Sequence, residues 1–287
     1  MHWDRVHTLE LDDVDIAYRT FGTGSELVVL VHGWPQTGRC WRRIAGPLAE
    51  RRTVLVPDLR GYGDSGLARS GAYTKRDAAG DVAALIERLG HDSAIVVGHD
   101  RGARVSHRLA LDHPDRVSAL ALLDIVPTRT VMNTFDRSSA AAMWHWFFHL
   151  QPDLPELLLA GNAEPYLRHF MRGVLATGAV DEETFGHYVR AFSEPGHLAA
   201  GLADYRAGFT TDLELDELDH AGGKRITSPL LVLWGAEGGL GGTDVVDTWR
   251  RHHADSDAVV GHAVPGGHYV PEEAPEAVLT ALRGFLP

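Results

Sequence analysis

One cysteine, Cys40, stands among 287 residues, so no intramolecular disulfide is possible. No run of about 18 apolar residues is present either, which excludes a membrane-spanning helix. An excess of positive charge is also missing: 27 Lys and Arg against 39 Asp and Glu leave a net charge of -12. That balance argues against nucleic acid and against an anionic membrane surface as partners. Met1-His2-Trp3-Asp4 carries neither a basic n-region nor an apolar h-region, so no secretory signal is expected and the cytoplasm is the expected compartment. There is no H-E-x-x-H motif and no Cys/His cluster, so no metal is expected. Internal repeats and low-complexity segments are absent. What remains is an ordinary soluble composition, long enough for one large α/β domain or a domain with an inserted lid.

The chain is organised around Ala94 to Arg104, A-I-V-V-G-H-D-R-G-A-R. A short apolar, β-branched run enters Gly98-His99-Asp100-Arg101-Gly102 and leaves as a helical pattern that continues to Leu111, which predicts a buried strand, a sharp turn and a helix. Glycines on both sides of Asp100 suit a cramped elbow that exposes the aspartate at its top. A carboxylate there is ionised at neutral pH without help from a base. It would form an ester on attacking saturated carbon, and water can cleave an ester. The bland alternative is that Asp100 only caps its helix.

Arg101 and Arg104 follow at i,i+3 on the first turn of that helix. Cations there oppose the helix dipole unless an anion compensates, and an arginine fork matches a carboxylate. The inferred substrate is therefore a small anionic acid whose reacting carbon lies close to its carboxylate. Against a net charge of -12 such an anion must be drawn by a local positive site. Pairing of the two arginines with neighbouring acids such as Asp100 or Asp124 is the competing explanation.

Residues 6 to 19 alternate around Asp12-Asp13 as a hairpin does. Leu27 to Val31 reads as a strand buried on both faces, Thr53 to Pro57, Ala94 to Val97 and Val117 to Leu123 as further strands, and Arg76 to Leu89 as an amphipathic helix. Such alternation predicts a mostly parallel central sheet with helices on both faces and function at the strands' C-terminal edge. Gly61 to Gly66 matches G-x-G-x-x-G, but no helix opens from it, so a dinucleotide site is rejected. From 127 to 215 strand runs vanish and aromatics cluster, as in Met143-Trp144-His145-Trp146-Phe147-Phe148. The expected organisation is a core of 1–126 and 216–287 with a helical cap at 127–215. The sheet resumes at Pro229 to Gly235, a last short strand falls at Ala258 to Val260, and a helix over Pro271 to Phe285 closes the chain.

His268 lies in the Gly-rich loop after the last strand, where the order nucleophile, acid, histidine places a base. His262 has no such loop to project it. The orienting acid is Asp124 or Glu237, both after strands; Asp124 is preferred because Glu237 sits in the Gly235 to Gly242 loop. The backbone N–H groups of Trp34, after the first buried strand, and of Arg101 are assigned as the oxyanion hole.

Gly98-His99-Asp100-Arg101-Gly102-Ala103-Arg104-Val105, L-D-I-V-P-T (123 to 128), W-H-W-F-F (144 to 148), D-Y-R-A-G (204 to 208) and G-H-Y-V-P-E-E-A-P (267 to 275) resemble the fluoroacetate (haloacetate) dehalogenase branch of the α/β-hydrolase superfamily. The resemblance runs nearly end to end. It implies an α/β-hydrolase fold, Asp100 as nucleophile, His268 and Asp124 activating water, and Arg101 with Arg104 holding the substrate carboxylate. It also implies that His145, Trp146 and Tyr205 donate hydrogen bonds to the departing halide, that no cofactor is required, and that the protein is a homodimer. Fluoride leaves poorly, so donors that grip it only as it departs lower the barrier selectively. The alternative is an epoxide hydrolase, for which Tyr166, Tyr188 and Tyr205 could activate the ring oxygen; a neutral epoxide has no use for two cations. A ligand-binding protein without turnover is a third reading.

Overall fold

Continuous apolar runs need cover on both faces, and in the computed structural model, which describes residues 3–286, they obtain it in the middle of one eight-stranded sheet. Met1 and His2 of the stretch read for a leader lie outside the described residues. The strands are β1 (His7–Glu10), β2 (Asp15–Phe21), β3 (Leu27–Val31), β4 (Thr53–Pro57), β5 (Ala94–His99), β6 (Val117–Leu123), β7 (Leu230–Gly235) and β8 (Val259–Val264). Their order is β1-β2-β4-β3-β5-β6-β7-β8. β2 runs antiparallel to β1 and β4, and every pair from β4 to β8 is parallel. The fold is the expected α/β-hydrolase architecture.

β3 and β5 are buried along their whole length. From β3 the chain crosses to β4 on one side and returns to β5 on the other, so the crevice beyond the C-terminal ends of β3 and β5 is the switch point of the sheet. The helix Lys75–Arg88 that makes this return starts in a capping box, Thr74 with Asp77, which satisfies two of its free N–H groups.

Between β6 and β7 lie eight helices among the described residues, from Thr128–Asn133 to Thr211–Ala221. The helical stretch therefore passes the expected boundary at 215, because Thr211–Ala221 is one continuous helix. Two further expectations need correction. β8 extends to Val264, so that His262 lies within it, exposed and paired with Leu233. The closing helix is two helices, Val270–Glu273 and Pro275–Phe285, since Pro275 cannot donate the hydrogen bond that would join them. Among the described residues no helix is long and apolar enough to cross a membrane.

Candidate active site

The turn after β5 is as tight as its glycines require. A Cβ on Gly102 would lie 2.2 Å from the carbonyl oxygen of His32, and one on Gly98 would lie 2.6 Å from Ala103 Cα. Asp100 between them has φ 48° and ψ -119°, a left-handed conformation that costs a non-glycine residue about 1–3 kcal/mol. The helix Arg101–Asp112 begins at the next residue and fixes the turn through Arg104 N–H donating to the Asp100 carbonyl at 3.1 Å. Strain of this kind lifts the carboxylate into the crevice at the switch point.

Three chain segments meet that carboxylate. Trp34 N–H, at the end of β3, donates to Asp100 Oδ2 at 2.9 Å, and the Arg101 backbone N–H also acts on the same carboxylate. Asp124, immediately after β6, accepts from His268 Nδ1 at 2.6 Å and from Gly235 N–H at 3.0 Å. The other imidazole nitrogen, His268 Nε2, stands 3.9 Å from Asp100 Oδ1. His99 holds the loop from below, its Nε2 donating to the His268 carbonyl at 2.7 Å. Glu237 is exposed in its loop, and Asp124 rather than Glu237 is the carboxylate on His268.

Burial works against charge on Asp100, yet the positive field of His268, His99 and Arg101 and the Arg101 N–H outweigh it, so its carboxyl stays below the usual carboxylate range. His268 shows the converse: burial disfavours the cation, but the Asp124 hydrogen bond and the charges of Asp124 and Asp100 raise its pKa to about 9. At neutral pH the pair is an anion facing an imidazolium. A carboxylate so placed can attack carbon, and an imidazole held by Asp124 can later take a proton from water.

The two arginines part company. Arg104 lines the cavity above Asp100. Its Nη1 donates to Thr128 Oγ1 at 2.8 Å and to the Val126 carbonyl at 3.2 Å, while its buried Nε has no partner. Burial and the neighbouring Arg101 cation depress its pKa to about 10. Arg101 does not line the cavity. Its Nε and Nη2 are each 2.6 Å from Asp204, the first from Oδ2 and the second from the carbonyl oxygen, and its guanidinium lies 4.3 Å from the centre of the Tyr205 ring. Of the two arginines expected to hold a substrate carboxylate, Arg104 thus lines the cavity, while Arg101 is paired with Asp204. Asp204 itself is tied to Lys75. Sequence reasoning gave Asp204 no role, although it opens the D-Y-R-A-G stretch.

His145, Trp146 and Tyr205 are brought together. The helix Trp144–His149 supplies the first two and His197–Phe209 the third, and all three line the cavity that holds Asp100. The Tyr205 ring centre is 6.0 Å from that of His145 and 6.1 Å from that of Trp146. Burial lowers the His145 pKa to about 4, so its ring is neutral, and burial together with the Asp100 charge raises that of Tyr205 well above its ordinary value. Both therefore remain donors at neutral pH, and neither the Trp146 indole N–H nor the Tyr205 hydroxyl has a partner among the described residues. The Trp34 ring stacks on His145 at 6.0 Å. The cavity measures about 410 Å³. Tyr166 and Tyr188 lie outside its lining; their hydroxyls meet His149 and Glu272.

Residues 26–275 match the model of the α/β hydrolase fold family. The chain belongs to that family. A fluoroacetate dehalogenase from Burkholderia sp is 37% identical over 97% of this chain and 92% of its own. A soluble epoxide hydrolase from Corynebacterium sp. (strain C12) is likewise 37% identical, over 98% of this chain and 97% of its own. Among solved structures, an α/β hydrolase from Nostoc sp PCC 7120 superposes with a TM-score of 0.91 at 44% identity, covering 98% of this chain and 97% of that one. As a member of this family the chain is a hydrolase; its aspartate elbow and His268–Asp124 pair lie at the C-terminal edge of the sheet, and the donor cluster lies on the inserted helices.

Proposed function

We propose that the protein is a hydrolytic dehalogenase of 2-haloacids such as fluoroacetate or chloroacetate. Asp100 Oδ attacks the α-carbon from the side opposite the halogen; the new carbon–oxygen bond forms as the carbon–halogen bond breaks, and halide leaves with the electron pair. His145, Trp146 and Tyr205 donate to the halide as its charge develops. Water then attacks the Asp100 carboxyl carbon while His268 takes its proton, the N–H groups of Trp34 and Arg101 hold the oxyanion, and collapse frees a 2-hydroxy acid and regenerates Asp100. From haloacetates that acid is glycolate.

The dehalogenase and the epoxide hydrolase among the relatives are equally similar to this chain, so the choice rests on the site. Arg104 carries it: a cation in the cavity wall that holds only a carbonyl and a hydroxyl, and no carboxylate, among the described residues has an obvious use for a carboxylate and none for a neutral epoxide. Pairing of Arg101 with Asp204 is the observation that favours the second reading, an epoxide hydrolase in which Tyr205 and His145 polarise the ring oxygen. Halide release from chloroacetate and fluoroacetate by wild type and Asp100→Asn, with an aryl epoxide as control, separates them. The proposal expects both halides from wild type and neither from the variant. Epoxide opening without halide release would overturn it.

A further inference from the structure

The cavity is far larger than a haloacetate. Fluoroacetate fills about three water volumes, and a space of about 410 Å³ holds several times that. Its polar groups are those already assigned to the reaction, with Trp34 and Tyr269 beside them. The rest of the wall is apolar: Ile125, Val126, Val131, Met143, Phe170 and Leu240. All but Ile125 are incompletely covered by the protein's own core. A wall of that kind gives water few partners, and water left in the cavity would solvate the Asp100 carboxylate and blunt its attack. An apolar group attached to the reacting carbon would displace that water and cover those side chains at once.

We infer that the substrate is a 2-haloacid bearing an apolar substituent on its α-carbon, with the substituent lodged against Val131, Met143 and Phe170 while Arg104 holds the carboxylate. This rests on the dehalogenase reading above and adds the size of the substrate to it. The α-carbon of such a substrate is a stereocentre, and backside attack by Asp100 inverts it in the 2-hydroxy acid product.

The test is a homologous series, 2-chloropropanoate through 2-chlorohexanoate, in which the reacting carbon stays secondary and only the length of the alkyl chain changes. Each added methylene that enters an apolar site multiplies kcat/KM by about fourfold, so chloride release is expected to rise about 60-fold across the series. Val131→Phe and, separately, Ala142→Phe, both in the cavity wall, occupy the space and are expected to flatten the rise. A constant or falling kcat/KM in the wild type overturns the inference while leaving the dehalogenase reading intact. A rise that survives both variants overturns it too, by placing the chain elsewhere. Absence of chloride from every member overturns the dehalogenase reading and this inference with it.

Discussion

Alkylation of Asp100 turns an anion into a neutral ester, and the first group to feel the change is His268, whose Nε2 lies 3.9 Å from Asp100 Oδ1. Two unit charges at that distance interact by about 4 kcal/mol at an effective dielectric near 20. The His268 side chain is 40% exposed, and solvent screening reduces the figure to about 2–4 kcal/mol. Loss of that attraction lowers the proton affinity of the imidazole by roughly 30-fold to 1,000-fold. A pKa of about 9 in the resting protein then becomes one between about 6 and 7.5. In the proposed reaction His268 is thus a cation while Asp100 attacks and becomes a base only once the ester exists. The assay is a rapid-quench single turnover with enzyme in excess over chloroacetate, the ester being followed by intact-protein mass. Ester decay is expected to rise with pH to a plateau, with its midpoint between about 6 and 7.5, while ester formation stays flat from about pH 5 to pH 8 because Asp100 is ionised throughout. A midpoint near 9, or decay independent of pH, would refute the argument that the Asp100 charge governs His268.

Other substitutions separate the remaining roles. His268→Ala is expected to release one halide per active site and then stop, with a carboxymethyl ester retained on Asp100; steady turnover should fall at least about 10³-fold, and continued turnover would remove His268 from the mechanism. Arg104→Gln should raise KM for haloacids about 10- to 100-fold with a smaller change in kcat, the value of hydrogen bonds to a charged partner; an unchanged KM would place the carboxylate elsewhere. Trp146→Phe keeps the ring but removes the donor, so fluoride release should slow by about a hundredfold and chloride release by much less. Asp204→Asn leaves Arg101 buried without its anion and Lys75 with Asp212 alone, and should destabilise the fold by about 3–5 kcal/mol in urea. Because its two cations hold the Asp204 pKa down to about 2, against 3.8 ordinarily, its contribution is complete above pH 3.8 and disappears as the pH falls through about 2.

Much of the frame was legible because its causes are local. β3, β5 and β6 are apolar runs that only a doubly covered sheet accepts, and the elbow is written in the two glycines that flank the Asp100 turn. Asp124 and His268 were found from their positions after strands, which is how the fold itself places them. Features that depend on distant partners were not legible. Arg101 and Asp204 are 103 residues apart and meet only because the helix His197–Phe209 lies over the sheet edge. The far end of the helical stretch was missed because Thr211–Ala221 buries little beyond Asp212, so no apolar stripe announces it. β8 extends beyond its apolar start through Gly261-His262-Ala263, held by pairing with β7 rather than by burial.

The groups proposed for the two half-reactions come from different parts of the chain. Asp100, Asp124, His268 and the Trp34 N–H all stand at the ends of sheet strands, whereas His145, Trp146 and Tyr205 stand on helices inserted between β6 and β7. In the proposed reaction the sheet thus supplies the groups that make and cleave the aspartyl ester, and the insertion those that receive the leaving group. Descent with modification can act on these two parts separately. Exchange of a few helical donors would redirect the chemistry from a halide to a ring oxygen while the elbow, under backbone strain and closed by glycines, stays fixed. Divergence in this lineage should then be fastest in the insertion and slowest at the strand ends.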